Sequence, residues 1–210
     1  LKALGAQYDI FLLGSSASWR ASFLGDGLFE LGMGFQARYY RALYRLLDKT
    51  HLTRMRLATP WLGFGRFVSR SDWLIYKEPL RDYVISLGGH NALRGYPSQT
   101  FVAFRGGRFR SNLEFRSKPL RMGSIRTGMV AFYDSGFLYD GSLETGFLQS
   151  VGIGLRMVIP QASRFTYRLD LGVPTDGTGF MLTVSGGTNQ AVPITPIEDG
   201  SSPEAISVGG

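Results

Sequence analysis

The chain has 210 residues, 28 glycines, 13% aromatic residues, no cysteine and a formal charge of +7. Without cysteine there are no disulfides or thiolate metal sites, and no apolar run approaches the roughly 20 residues of a membrane helix. A basic balance of this size admits nucleic-acid binding or a structural distribution of cations, so the arginine positions must decide.

Mean hydropathy near zero conceals a sorting of side chains at period two, which a strand produces and a helix scatters. Residues 10–22 alternate Phe11, Leu13, Ala17, Trp19 and Ala21 with Gly14, Ser16, Ser18 and Arg20. Residues 28–40 set Phe29, Leu31, Met33, Phe35, Ala37 and Tyr39 against Glu30, Gly32, Gly34, Gln36 and Arg38. Weaker alternation over 52–61 opposes Met55, Leu57 and Trp61 to Arg54 and Arg56. After a long loop, 108–117 opposes Phe109, Leu113 and Phe115 to Arg108, Arg110, Asn112, Glu114 and Arg116. Residues 124–134 are blurred, with Val130 and Phe132 sharing a face with Arg126 and Asp134. Residues 149–159 place Val151, Ile153, Leu155, Met157 and Ile159 against Ser150, Gly152, Gly154 and Arg156. Residues 164–173 place Phe165, Tyr167, Leu169, Leu171 and Val173 against Arg164, Thr166, Arg168, Asp170 and Gly172. A last strand over 179–187 points Phe180, Leu182 and Val184 outward.

These are about eight antiparallel strands, most long enough to cross a hydrocarbon layer at a tilt. The connections 43–50, 118–123 and 160–163 are expected on one side; 62–107 and 135–148, both long, lie on the other with 23–27 and 174–178. A soluble sandwich or lipocalin-like barrel alternates too, but it turns its polar face to water. Here the polar face is rich in glycine and arginine, which predicts a transmembrane β-barrel with an arginine-lined aqueous interior. Arg20, Arg38, Arg54, Arg56, Arg108, Arg110, Arg116, Arg126, Arg156, Arg164 and Arg168 face that interior with Glu30, Glu114, Asp134 and Asp170. Their excess equals the whole formal charge of +7, which removes the need for nucleic acid as a partner. Eight closed strands leave room only for side chains. So many arginines would repel there, which predicts half of a wider barrel with open edges needing partners. The barrel segment covers 1–187, and the Pro/Gly/Ser-rich, acidic 188–210 reads as a flexible tail.

Leu87-Gly88-Gly89-His90-Asn91-Ala92-Leu93-Arg94-Gly95-Tyr96-Pro97 resembles the Leu-Gly-Gly…Arg-Gly-Tyr/Phe signature of the bacterial surface antigen family. That superfamily includes BamA-like and TamA-like outer-membrane assembly factors, two-partner secretion transporters and patatin-fused barrels. Asn112-Leu113-Glu114-Phe115-Arg116, Phe132-Tyr133-Asp134-Ser135-Gly136, Gly152-Ile153-Gly154-Leu155-Arg156 and Arg168-Leu169-Asp170-Leu171 follow in the family's order. The likeness is motif-specific from Leu87 to about Gly187 and only pattern-level before it. It implies the C-terminal half of a sixteen-stranded barrel, with three strands before the signature loop and five after. It also implies that the loop folds inward, Arg94 meeting Glu114 and Asp134 while Gly95 turns the chain and Tyr96 packs on the wall. The family's first eight strands and its POTRA domains have no counterpart here, and the tail continues past the family's usual aromatic end.

The resemblance implies a non-enzymatic protein that inserts or translocates outer-membrane clients, resident in the bacterial outer membrane and completed by a missing half or another chain. Its partners are then the lipid bilayer and client outer-membrane proteins. Two other readings stay open: a passive pore or anchor, such as the membrane module of a patatin-type phospholipase, and an independent small structural barrel. No Gly-x-Ser-x-Gly elbow, phosphate loop or metal-spaced His/Cys cluster occurs, so no catalytic residue, metal or cofactor is expected. His51 and His90 are read as interfacial or loop residues. Trp19, Trp61, Tyr39, Tyr40 and Tyr133 are candidates for aromatic girdles.

Overall fold

The computed structural model describes residues 10–80, 84–89, 93–98, 100–103, 106–140, 145–159 and 166–187. Long strands dominate: β1 (Ile10–Phe23), β2 (Gly27–Tyr40), β3 (Arg45–Ala58), β4 (Gly65–Lys77), β7 (Gly106–Ser117), β9 (Ile125–Tyr139), β10 (Leu148–Val158), β11 (Thr166–Pro174) and β12 (Met181–Gly187). Among the described residues, short strands β5 (Ile85–Leu87), β6 (Phe101–Ala103) and β8 (Leu120–Met122) complete the set, with a 3-10 turn at Arg41–Leu43. The long strands join as an antiparallel meander in the order β1-β2-β3-β4-β7-β9-β10-β11-β12, and β8 folds back on β9 to make a ten-stranded sheet. The hairpin β5–β6 forms a separate two-stranded sheet. β1 and β12 end the large sheet without pairing to each other, so the sheet is not closed.

Alternation predicts an all-β antiparallel fold, and the chain has one, but with ten strands in the sheet where about eight are expected. The main addition is β4, which lies within the span 62–107 that the sequence reads as loop. Its inner face mixes Arg66, Arg70 and Asp72 with Val68, Leu74 and Tyr76, while its outer face mixes Phe67, Trp73 and Ile75 with Ser69 and Ser71. Neither face is chemically pure, so period two is hidden. The apolar inner positions exist because the β5–β6 hairpin covers them: Leu74, Tyr76, Ile85, Leu87, Leu93, Tyr96, Ala103 and Leu138 form one buried cluster. The signature loop therefore has four long strands before it, not three.

One extra strand also exchanges the sides of two connections. The β1–β2 turn now lies with the short connections after β3, β7 and β10. The turn around Arg41–Leu43 lies with the long loop, as do the connections after β9 and β11. The third strand starts earlier than expected, at Arg45, after Tyr44 turns the chain with φ of 49°. The stretches 1–9 and 188–210 lie outside the described residues, as do His90 and Arg164.

The face on which the hairpin packs is called inner. Register carries the inner face from strand to strand through Arg20, Glu30, Arg56, Arg70, Asn112, Asp134 and Ser150. The opposite face bears Met33, Phe35, Leu57, Trp73, Leu113, Met129, Ile153, Leu155 and Leu169, all exposed. A bare apolar surface of this extent is what a monomeric soluble domain avoids. Paired rings run along it, Trp73 on Phe109 at 6.0 Å and Phe67 on Phe115 at 5.0 Å. Trp19 stands 60% exposed on that face. Tyr40, a girdle candidate, instead turns inward and is buried against Asp48.

Candidate functional site

Cross-strand neighbours on one face of a sheet stand about 5 Å apart, so arginine and carboxylate positions that alternate on adjacent strands become ion pairs. The inner wall is built that way. Glu30 takes Arg20 at 2.6 Å and Arg56 at 3.4 Å. Asp72, fully buried on β4, takes Arg54 at 2.9 Å, Arg70 at 2.9 Å and Arg110 through Nε at 2.7 Å. Asp48 accepts from Tyr40 Oη at 2.5 Å, Tyr76 Oη at 3.0 Å and the Leu80 amide at 2.8 Å, with Arg38 at 3.6 Å. Arg108 donates to the Ser86 carbonyl at 2.8 Å and so ties the wall to the hairpin.

The loop after β5 brings the densest set together. Leu93 to Tyr96 form a turn, closed by the Tyr96 amide donating to the Leu93 carbonyl at 3.3 Å and tied back by the Gly89 amide donating to the Tyr96 carbonyl at 2.9 Å. The turn aims Arg94 at the wall. Its Nε and Nη2 donate to the two Asp134 oxygens, both at 2.7 Å, and its Nη1 donates to Glu114 at 2.5 Å. The Arg94 backbone amide adds a third bond to Asp134 at 3.0 Å. The guanidinium carbon lies 3.7 Å from the centre of the Phe132 ring, so one planar cation is forked edge-on by carboxylates and stacked face-on by an aromatic. Arg94 and Glu114 are 1% exposed and Asp134 is 0%. Arg116 binds the free side of Glu114 at 2.7 Å, and Arg156 bridges from Glu114 at 3.7 Å to Asp170 at 2.5 Å.

Backbone contact fixes the depth of the loop. Gly95 has φ of +109°, a region that glycine enters without strain. Across from it, Gly172 on β11 is so close that a Cβ there would lie 2.6 Å from the Gly95 nitrogen and 2.7 Å from the Arg94 carbonyl carbon. Tyr96 then reaches past the sheet, donating to Asp176 Oδ2 at 2.9 Å and approaching the Gln149 carbonyl at 3.3 Å. Burial pushes the Tyr96 phenol up to about 12, helped by the hydrogen bond to Asp176, so it stays a donor at all ordinary pH.

Asp176 is held below its ordinary value by the Thr178 hydroxyl and amide first, and by Tyr96 after them. Its contribution is therefore present above the ordinary aspartate value of about 3.9 and fades as pH falls through the lower folded value. Tyr96→Phe is expected to speed amide exchange in 93–98 about two- to five-fold at neutral pH. That difference should shrink in acid, and equal exchange rates at neutral pH would remove the tie.

All five residues assigned to the loop and its seat, Arg94, Gly95, Tyr96, Glu114 and Asp134, thus meet in one place. Of the arginines expected on the inner wall, Arg38, Arg54, Arg56, Arg108, Arg110, Arg116, Arg156 and Arg168 share the inner register. Arg126 does so only at the turn end of β9, beside Arg121, where it is exposed. Sequence reasoning missed Asp72, Arg70, Asp48 and the Phe132 platform. β4 offers only a partial alternation, with Arg66, Arg70 and Asp72 at even positions and Phe67 and Trp73 at odd ones, broken by Val68, Leu74 and Tyr76 on the even face. His51 lies inside β3 on the outer face, bonded to Thr53 at 3.0 Å. No family model, no curated protein and no solved structure matches this chain.

Proposed function

We propose that this chain is a transmembrane β-barrel segment of the bacterial outer membrane, of the surface-antigen kind, that helps client proteins insert or cross without catalysing a covalent reaction. The observation that carries the reading is Arg94, in an Arg-Gly-Tyr loop, held on the inner wall by Glu114 and Asp134. A loop tied inward this way braces a wide barrel from inside. The bare apolar outer face supports a lipid surround.

The free outer edges of the two terminal strands, β1 and β12, are the seam at which another half or chain completes the barrel. Unpaired strand edges recruit strands, so a client strand adds there. A second reading, a passive pore or membrane anchor, is favoured by one observation: arginines clearly outnumber carboxylates on the inner wall, as suits an anion-permeable interior.

The test is reconstitution of the chain in short-chain lipid vesicles, followed by addition of an unrelated small outer-membrane barrel from urea. The client is expected to fold several-fold faster than in empty vesicles. Unchanged client folding beside a correctly inserted chain sinks the assembly reading and leaves the pore or anchor. Failure of the chain to enter the vesicles at all sinks both.

A further inference from the structure

Arg168 differs from the other inner-face arginines of the signature cluster. It is 4% exposed, and it makes no ion pair or hydrogen bond within the described residues. Its register neighbours are Arg156 on β10 and Ser185 on β12. Arg156 Nε, Arg168 Nε and Ser185 Oγ are each buried without a hydrogen-bond partner. Three successive strands thus set a row of three unsatisfied donors side by side.

The carboxylates nearby are already engaged. Asp170 takes Arg156 at 2.5 Å, and Glu114 takes Arg94 and Arg116. Asp170 and Glu114 attract Arg168 from a distance without bonding to it, and buried polar atoms in native folds find partners.

We infer that Arg168, Arg156 and Ser185 form a binding site for one oxyanion, a phosphate or a carboxylate. A guanidinium offers paired donors that match an oxyanion's geometry, a second arginine adds charge, and the serine hydroxyl supplies a neutral donor from the other side. Two sources have this chemistry. One is a free phosphate-type ion from the aqueous interior. The other is the chain itself: Ser185 lies two residues from the end of β12, and the sequence beyond carries Glu198, Asp199 and Glu204. The site stands apart from client insertion, since anion binding does not require a client.

The test is thermal unfolding of the full chain in neutral detergent at constant ionic strength, with chloride replaced stepwise by inorganic phosphate. With the site free, Tm is expected to climb roughly 3 °C per tenfold rise in phosphate above its Kd. Arg168→Met is expected to abolish the response, and Ser185→Ala to weaken phosphate binding about tenfold. The full chain carrying Glu198→Gln, Asp199→Asn and Glu204→Gln separates the two sources. An equal response in wild type and this variant supports the free ion. A response that appears or grows only in the variant supports the chain's own carboxylates. Insensitivity of both, or a response that survives in Arg168→Met, overturns the site. A uniformly more stable Arg168→Met protein, with no phosphate dependence in either background, would mark the arginine as a tolerated defect and overturn it too.

Discussion

Arg94→Ala is expected to release the loop from the inner wall at a cost of about 3–5 kcal/mol, the usual consequence of removing one member of a buried, hydrogen-bonded charge set. The loss falls unevenly. Glu114 keeps Arg116 at 2.7 Å, whereas Asp134 loses both of its guanidinium bonds and, among the described residues, retains only the backbone amide of residue 94. Asp134 is fully buried, so no water shell replaces them. Arg94→Lys should recover only part of the stability, because a single ammonium cannot fork to two carboxylates while lying flat on Phe132. Limited proteolysis between β4 and β7, combined with thermal unfolding, reads the effect. Vesicle insertion should persist, since every strand-to-strand bond is left in place. A variant with native protease resistance in 78–105 would falsify the bracing role.

The second large effect comes from a residue with no side chain. Gly172→Val places a branched carbon where the loop backbone already sits, within 2.7 Å of Arg94 and Gly95 main-chain atoms. Backbone cannot rotate aside as a side chain can. Either the loop lifts or β11 shifts, and overpacking of this kind costs about 1–3 kcal/mol or more. Gly32→Val is the matching control, because a Cβ at Gly32 meets nothing within 4 Å. Valine also suits a strand better than glycine does, so the control should be neutral or slightly stabilising. Hydrogen exchange at the Arg94 amide, bonded to Asp134, distinguishes the sites: fast in Gly172→Val and unchanged in Gly32→Val. Equal protection in the two variants would mean that the loop is not seated by backbone contact.

Much of this was legible before any coordinates. Strands with one chemically pure face, such as β2, β10 and β11, are readable because each residue faces a single environment. β4 was not readable. Its inner side chains meet two environments, charged wall at Arg70 and Asp72 and apolar hairpin at Leu74 and Tyr76, so no two-letter pattern describes them. Missing it placed the Arg41–Leu43 turn on the wrong side of the sheet. The Arg94 seat was legible through its motif, and Glu114 and Asp134 through their parity. Asp48 was hidden because a register shift between Gln36 and Arg38 brings it against Tyr40 and Tyr76 from what reads as a turn.

By itself the sequence determined the class of fold and which residues share a face, because a strand's side chains alternate whatever its neighbours do. Only the tertiary structure decided the number of strands, the sharing of Glu30, Asp72 and Glu114 among several arginines, and the close approach of Gly95 to Gly172. Those depend on which strand lies beside which, and on how deep a loop settles. Such contacts join positions 20 to 80 residues apart, where no local period reaches.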